Sequence, residues 1–245
     1  MPTASAYPMT PIGYLASPFQ EKFGIPRQPG LAPHARATLT LLPPFNVADS
    51  VRGLAAFSHV WLIFAFHGTA AQGWHPTVRP PRLGGNARVG VFASRSTFRP
   101  NPLGLSVAKL VHVETELGVT LTFSGLDLLN GTPILDLKPY IPFVDSQPDA
   151  LGGFVAGTPP TLPVIWTAQA RADVLPFAAE YPHLPALIDE VLAQDPRPAY
   201  QQDPTRHYGV KLYSCNVRFV VTEKGATVLA VEVAAPICQS RSEER

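Results

Sequence analysis

Proline constrains this chain more than any other residue. There are 28 prolines in 245 residues, about twice the ordinary share of roughly 5%. Each lacks a backbone donor, fixes its own φ and pushes the preceding residue out of the helical region. Long helices and central strands must therefore fit between prolines. The prolines are spread along the whole chain and sit beside aromatic and apolar runs. That distribution fits a β-rich globule with stiff loops rather than a disordered tail. The decapeptide RSTFRPNPLG (95–104) concentrates the effect: it is cationic, hostile to helix, and follows the apolar run VGVFA.

The spaces between prolines read as short strands. MTPIGYLAS (9–17), ARATLTLL (35–42), HVWLIFAF (59–66), NARVGVFA (86–93), LSVAKLVHVE (105–114), VTLTFSGL (119–126) and TPILDLKPY (132–140) form a series with turn signals between them. HVWLIFAF is apolar at both parities, which predicts a strand buried on both faces. A hairpin is expected around Glu116–Gly118, and NVADSVRGLAAF (46–57) has the makings of a short helix weakened by Gly53. Such a series suggests a closed or nearly closed barrel. Near residue 150, DSQPDALGGFVAGTPPTLP reads as a linker. VIWTAQA then predicts a strand. HLPALIDEVLAQ (183–194) predicts a helix with Leu184, Leu187, Ile188, Val191 and Leu192 on one face, stopped by DPRP. GVKLYSC, NVRFVVTE and TVLAVEVAA close the chain as strands, with a hairpin turn at Glu223–Gly225. The expected fold is mainly β: an N-terminal β-barrel over 1–150 and a small C-terminal α+β domain over 151–245.

Two cysteines, Cys215 and Cys238, make neither a disulfide framework nor a metal site and point to a reducing compartment. No signal peptide is expected from MPTASAYPMTPIGY. The apolar run VWLIFAF is too short to span a bilayer. No metal, no membrane contact and a cytoplasmic location are therefore expected. The charges nearly cancel, with 19 Lys and Arg against 18 Asp and Glu, but they are unevenly placed. Between Asp49 and Glu114 there is no carboxylate, while Arg52, Arg79, Arg82, Arg88, Arg95, Arg99 and Lys109 all fall there. This pattern suits a cationic face for a polyanion. The common frameworks for chemistry are missing: no G-x-G-x-x-G, Walker A, H-E-x-x-H, C-x-x-C or G-x-S-x-G is present. Any chemistry must rest on loops, of which GIPRQPG, FHGT, RPPRLGGNAR, RSTFRPNPLG, LDLLNGTP and DPRPAY stand out.

These loops carry a resemblance. PRQPG, FSHVWLIFAFH, GWHPTVRPPRLGGNARVGVFA, RSTFRPNPLG, LDLLNGTPILDLKPYIPF and LAQDPRPAY, in that order, resemble the TsaA-like, or TrmO, family of S-adenosylmethionine-dependent tRNA methyltransferases. The resemblance implies a barrel methyltransferase that acts as a homodimer on the anticodon loop of tRNA. The modified base would be threonylcarbamoyladenosine in tRNA for threonine, methylated at N6. It further implies that Arg27, Gln28, Pro29, His67, Gly68, Arg95, Leu105, Asp127, Leu128, Leu129, Asn130 and Gly131 hold the cofactor. Arg99, Asn101, Arg197 and Tyr200 are expected on the substrate, and Asp195, Tyr200 and His67 are the candidate proton acceptors. Asn130 and Gln201 depart from residues common in the family. The alternatives are an S-adenosylmethionine-binding protein with another methyl acceptor, or a non-catalytic module that binds tRNA or cofactor.

Overall fold

A computed structural model describes residues 7–84, 87–155, 157–198, 201 and 203–235. The first half closes into a six-stranded barrel in the order β1-β2-β7-β6-β3-β8. Its strands are β1 (Gly13–Ala16), β2 (Arg36–Leu41), β3 (His59–Ala65), β6 (Leu103–Glu114), β7 (Thr120–Ser124) and β8 (Thr132–Pro139). Every neighbouring pair is antiparallel. Strand directions therefore alternate around the ring, and the connections from β1 to β2, β3 to β6 and β7 to β8 all emerge at the same rim. Those connections are 17–35, 66–102 and 125–131, and they contain five of the six unusual loops. Topology alone thus gathers at one end what the sequence keeps up to a hundred residues apart.

The barrel interior is filled by alternate residues. Leu15, Leu39, Val60, Leu62, Phe64, Leu121, Phe123 and Ile134 are almost fully buried. β3 does not bury both faces as its apolar sequence predicts. Val60, Leu62 and Phe64 point into the barrel, while Trp61 and Ile63 lie half-buried outside, as the two-residue period of a strand requires. Gly104 on β6 pairs with Phe64, and a Cβ there would stand 2.2 Å from its ring, so only glycine lets the two strands approach.

Two further expectations are corrected. NARVGVFA is not a barrel strand. Only β5 (Val89–Gly90) pairs, with β4 (Thr77–Val78), and Val91–Ala93 turns into a 3-10 helix. Prolines at 76, 80 and 81 flank β4 and confine the pairing to two residues. Residues 46–57 form two 3-10 turns, Ala48–Val51 and Leu54–Ala56, broken at Gly53, whose φ is +84°.

The second half is a four-stranded sheet, β10 (Tyr208–Leu212), β11 (Cys215–Thr222), β12 (Gly225–Val233) and β9 (Val164–Trp166), accompanied by α2 (Ala168–Asp173), α3 (Leu175–Glu180) and α4 (Leu184–Ala193). The short α1 (Pro142–Asp145) follows the barrel. VIWTAQA divides into β9 and the start of α2, because the Thr167 hydroxyl accepts the Ala170 N–H at 3.0 Å and caps the helix. Leu184, Leu187, Ile188, Val191 and Leu192 of α4 are buried as the periodicity predicts.

The two halves share a segment. Pro18 accepts from Tyr213 N–H at 2.7 Å, and Phe19 bridges Leu212, so 18–21 lies along the edge of β10. Phe19, Ala32 and Ala35 are buried in the core of the second half, although they belong to the first connection of the barrel. Phe19→Ala is expected to cost about 3–5 kcal/mol in urea unfolding. Leu117→Ala, at the fully exposed tip of the β6–β7 hairpin, is expected to stay within about 0.5 kcal/mol. Equal effects would contradict the placement of Phe19.

Candidate functional site

The three connections meet on the shared rim through two small clusters. In the first, Arg95 Nη1 of the second connection donates to Gln28 Oε1 of the first. Asp127 of the third lies within reach of the Arg95 charge and accepts a 2.8 Å hydrogen bond from Ser106 Oγ. Burial pushes the Asp127 carboxyl above the usual carboxylate range, and the Ser106 hydroxyl and Arg95 offset this only in part. In the second cluster, Gly68 follows His67 at the end of β3, and a Cβ at Gly68 would meet Lys22 Cε at 3.2 Å and Leu129 Cδ2 at 3.3 Å. One residue from each connection is again in contact. The His67 ring is open to solvent on one side, yet its partial burial and the Lys22 charge lower its pKa from the ordinary 6.5. It is accordingly held neutral at physiological pH, with a lone pair free to accept a proton.

The 127–131 turn is fixed from below. Ser17 Oγ donates to the Leu128 carbonyl at 2.6 Å, Ser17 N–H to Asn130 Oδ1 at 3.0 Å, and Asn130 Nδ2 to Gln20 Oε1 at 3.2 Å. Gly131 takes φ +75° and donates to the Leu15 carbonyl, a left-handed conformation that suits glycine. Arg27, exposed next to Gln28, faces the second half. Its charge acts on Asp195, and a cleft of about 360 Å³ lined by Lys22, Arg27, Gln194 and Asp195 separates the two. Burial pushes the Asp195 carboxyl up, but Arg197 outweighs it and holds the group below the usual range. The Arg197 fork binds both Asp195 oxygens, at 2.8 and 2.9 Å.

The other sequence candidates stand apart from these clusters. Arg99 Nη1 donates to the carbonyls of Val91 and Ser94, at 3.2 and 2.8 Å, with its guanidinium over the Phe92 ring. It closes its own loop. Phe98 is half-buried against His75. Asn101 is exposed, and its carbonyl accepts from Leu103. Leu105 is 55% exposed on the outer face of β6, opposite to Ser106. Pro29 is half-buried beside Gln28. Tyr200 lies outside the described residues. Lys22 and Ser106 went unnoticed in the sequence. Ser106 has a signal, since alternation on β6 turns it inward where Leu105 turns out, whereas nothing local to Lys22 marks it. Arg79 and Arg88 are exposed and, among the described residues, form no ion pair. No group of three or more His, Cys, Asp or Glu among the described residues could hold a metal ion. No helix among them is long and apolar enough to cross a membrane.

A closed six-stranded barrel with its long loops gathered at one rim, followed by a small α+β unit, is the architecture this chain presents. Residues 14–146 match the family described as "tRNA-methyltransferase O N-terminal domain", and residues 159–234 match "TrmO C-terminal domain". The chain belongs to the tRNA-methyltransferase O family. It is 50% identical over 93% of its length, and 99% of the relative's, to the Escherichia coli protein named "tRNA (adenine(37)-N6)-methyltransferase". It is 49% identical, over 86% of its length and 91% of the relative's, to a Pseudomonas aeruginosa protein named "Putative S-adenosylmethionine-dependent methyltransferase RcsF". The crystal structure of TrmO from Pseudomonas aeruginosa superposes with a TM-score of 0.81 at 42% identity, covering 96% of this chain and all of that one.

His67 supplies a pH test. The unfolded chain takes up the proton near the ordinary imidazole value, while the folded chain resists it until a lower pH. Within that window the unfolded state binds more protons, so the His67 contribution to stability is lost as pH falls. NMR titration should place the His67 ring below 6.5, and Lys22→Gln should move it upward. A ring that titrates at the ordinary value in both proteins would contradict the Lys22–His67 pairing.

Proposed function

We propose that this chain transfers the methyl group of S-adenosylmethionine to N6 of threonylcarbamoyladenosine beside the anticodon of tRNA for threonine. The observation that carries this reading is the meeting of Gln28, Arg95 and Asp127, from three separate connections, on the rim of a chain half-identical to a named tRNA (adenine(37)-N6)-methyltransferase. The residues fit the donor. Arg95 and Arg27 suit its carboxylate, the incompletely compensated Asp127 carboxyl suits hydroxyl or ammonium donors, and the exposed Leu105 suits its apolar part. Gln28, Pro29, His67, Gly68 and the 128–131 backbone complete the cradle.

Bound S-adenosylmethionine supplies an already activated methyl. The protein need only orient and desolvate the acceptor, which is worth several kcal/mol when the geometry is held. Rigid loops braced by proline do this at low entropic cost. The acceptor nitrogen sheds a proton as it gains the methyl. Of the described candidates, His67 suits that proton better than Asp195, because His67 is kept neutral while both Asp195 oxygens are engaged by Arg197. Asp195 instead positions Arg197 beside the rim. Arg99 acts through the shape of its loop, with Asn101 at the exposed edge facing RNA.

Residues 1–150 would carry the donor and 151–245 would help grip the tRNA. The active form is a homodimer in the cytoplasm. Leu105 faces outward, away from Ser106 and Asp127, so a second copy packed against that flank would enclose the donor from the outside. The exposed apolar side chain of Leu105 on that flank supports this.

Incubating the full chain with labelled donor and tRNA for threonine tests the reading. Label should enter tRNA bearing the threonylcarbamoyl group and not the unmodified tRNA. Arg95→Ala should lower kcat/KM about 10- to 100-fold, the worth of a lost charged hydrogen bond. No transfer, or equal transfer to both tRNAs, would refute it.

A further inference from the structure

A second cleft, of about 520 Å³, opens between the outer face of β1–β2 and the second half of the chain. Its lining is unlike that of the rim. Tyr181 and Tyr213 stack with ring centroids 4.1 Å apart and planes within 9°. Arg36 is the only charged residue in the lining, and among the described residues its guanidinium pairs with no carboxylate. The rest is the small Ala16, the hydroxyls of Thr38 and Ser214, and Ser17, Gln20 and Asn130, which are hydrogen-bonded to one another.

The aromatic pair is held in place from several sides. Tyr213 sits at the β10–β11 turn with φ +51°, a conformation a bulky residue adopts only when its surroundings enforce it. The enforcement comes from its N–H, which donates to the Pro18 carbonyl at 2.7 Å. Glu180 and Ser214 lie close enough to the Tyr181 hydroxyl to act on it, Glu180 most strongly, raising its pKa above the ordinary value. The Tyr213 hydroxyl donates to the Arg36 carbonyl at 3.5 Å, so that ring is held at its backbone and at its hydroxyl edge.

Flat aromatic surface, one unpaired guanidinium and neutral hydroxyls form a combination that binds a single unstacked nucleotide of RNA: the ring stacks, the guanidinium meets phosphate, and the hydroxyls meet base edges. We propose that this cleft takes a nucleotide of the bound tRNA other than the methylated one. Asn130 lines it, and Asn130 lies three residues from Asp127 at the rim, a span of at most about 11 Å. Both sites therefore border one turn, close enough for one strand of RNA to reach both. This inference rests on the tRNA reading above.

The test uses the full chain, tRNA bearing the threonylcarbamoyl group, and S-adenosylhomocysteine as the donor-site probe. Arg36→Gln and Tyr181→Leu should each weaken tRNA binding about ten-fold, the scale of one lost base stack or phosphate contact. The KM for tRNA should rise while kcat, S-adenosylhomocysteine affinity and melting temperature hold. Tyr181→Phe keeps the ring and should bind tRNA like the parent. Should Tyr181→Leu fail to fold, Arg36→Gln carries the test alone. If the parent methylates tRNA and neither variant loses affinity, the cleft holds no nucleotide and the inference is wrong. Loss of S-adenosylhomocysteine affinity instead would assign the cleft to the donor, and also overturns it. A parent that neither binds nor methylates tRNA would overturn the tRNA reading itself.

Discussion

Segment 17–35 must satisfy two cores at once. It leaves the barrel at Ala16, runs along the edge of β10, buries Phe19, Ala32 and Ala35 among the helices and sheet of the second half, and returns at Arg36. Everything that distinguishes the rim depends on this. With both ends held in the barrel and its middle held elsewhere, the segment presents Lys22, Arg27 and Gln28 without having to form regular structure of its own. Entropy lost in ordering these residues is offset by burial on the far side.

The electrostatics follow from the same arrangement. Asp127 is half-buried beside one hydroxyl and one nearby cation, and desolvation still holds its carboxyl above the usual range. Lys22 stands next to a histidine rather than a carboxylate. Such groups lower stability in isolation and are retained where a ligand completes them. The Asp195–Arg197 pair is the opposite case. It is internally satisfied, and it sets the shape of the second half where that half meets Arg27.

Much of the fold could be read from the sequence because its cues are local. The barrel strands follow from alternation between proline and glycine turns, and α4 from the spacing of Leu184, Leu187, Ile188, Val191 and Leu192. NARVGVFA misled because its apolar content reflects packing of Val91 beneath a proline-rich excursion, not ladder pairing. HVWLIFAF misled because Trp61 and Ile63 are apolar on an outer surface. The role of Phe19 in the second core is a long-range matter that no local pattern encodes. The loops that meet at the rim could be picked out in the sequence, but the contacts between their side chains could not. That Arg95 reaches Gln28, that Arg99 turns back on Val91 and Ser94, and that Lys22 abuts Gly68 are consequences of closing the barrel.

The most direct measurement is a crystal structure of the chain with S-adenosylhomocysteine. The account requires the ligand on the rim, touching residues from all three connections, with Gln28, Arg95 and Asp127 among its polar contacts. A ligand contacting only one connection, or seated wholly in the second half, would contradict it.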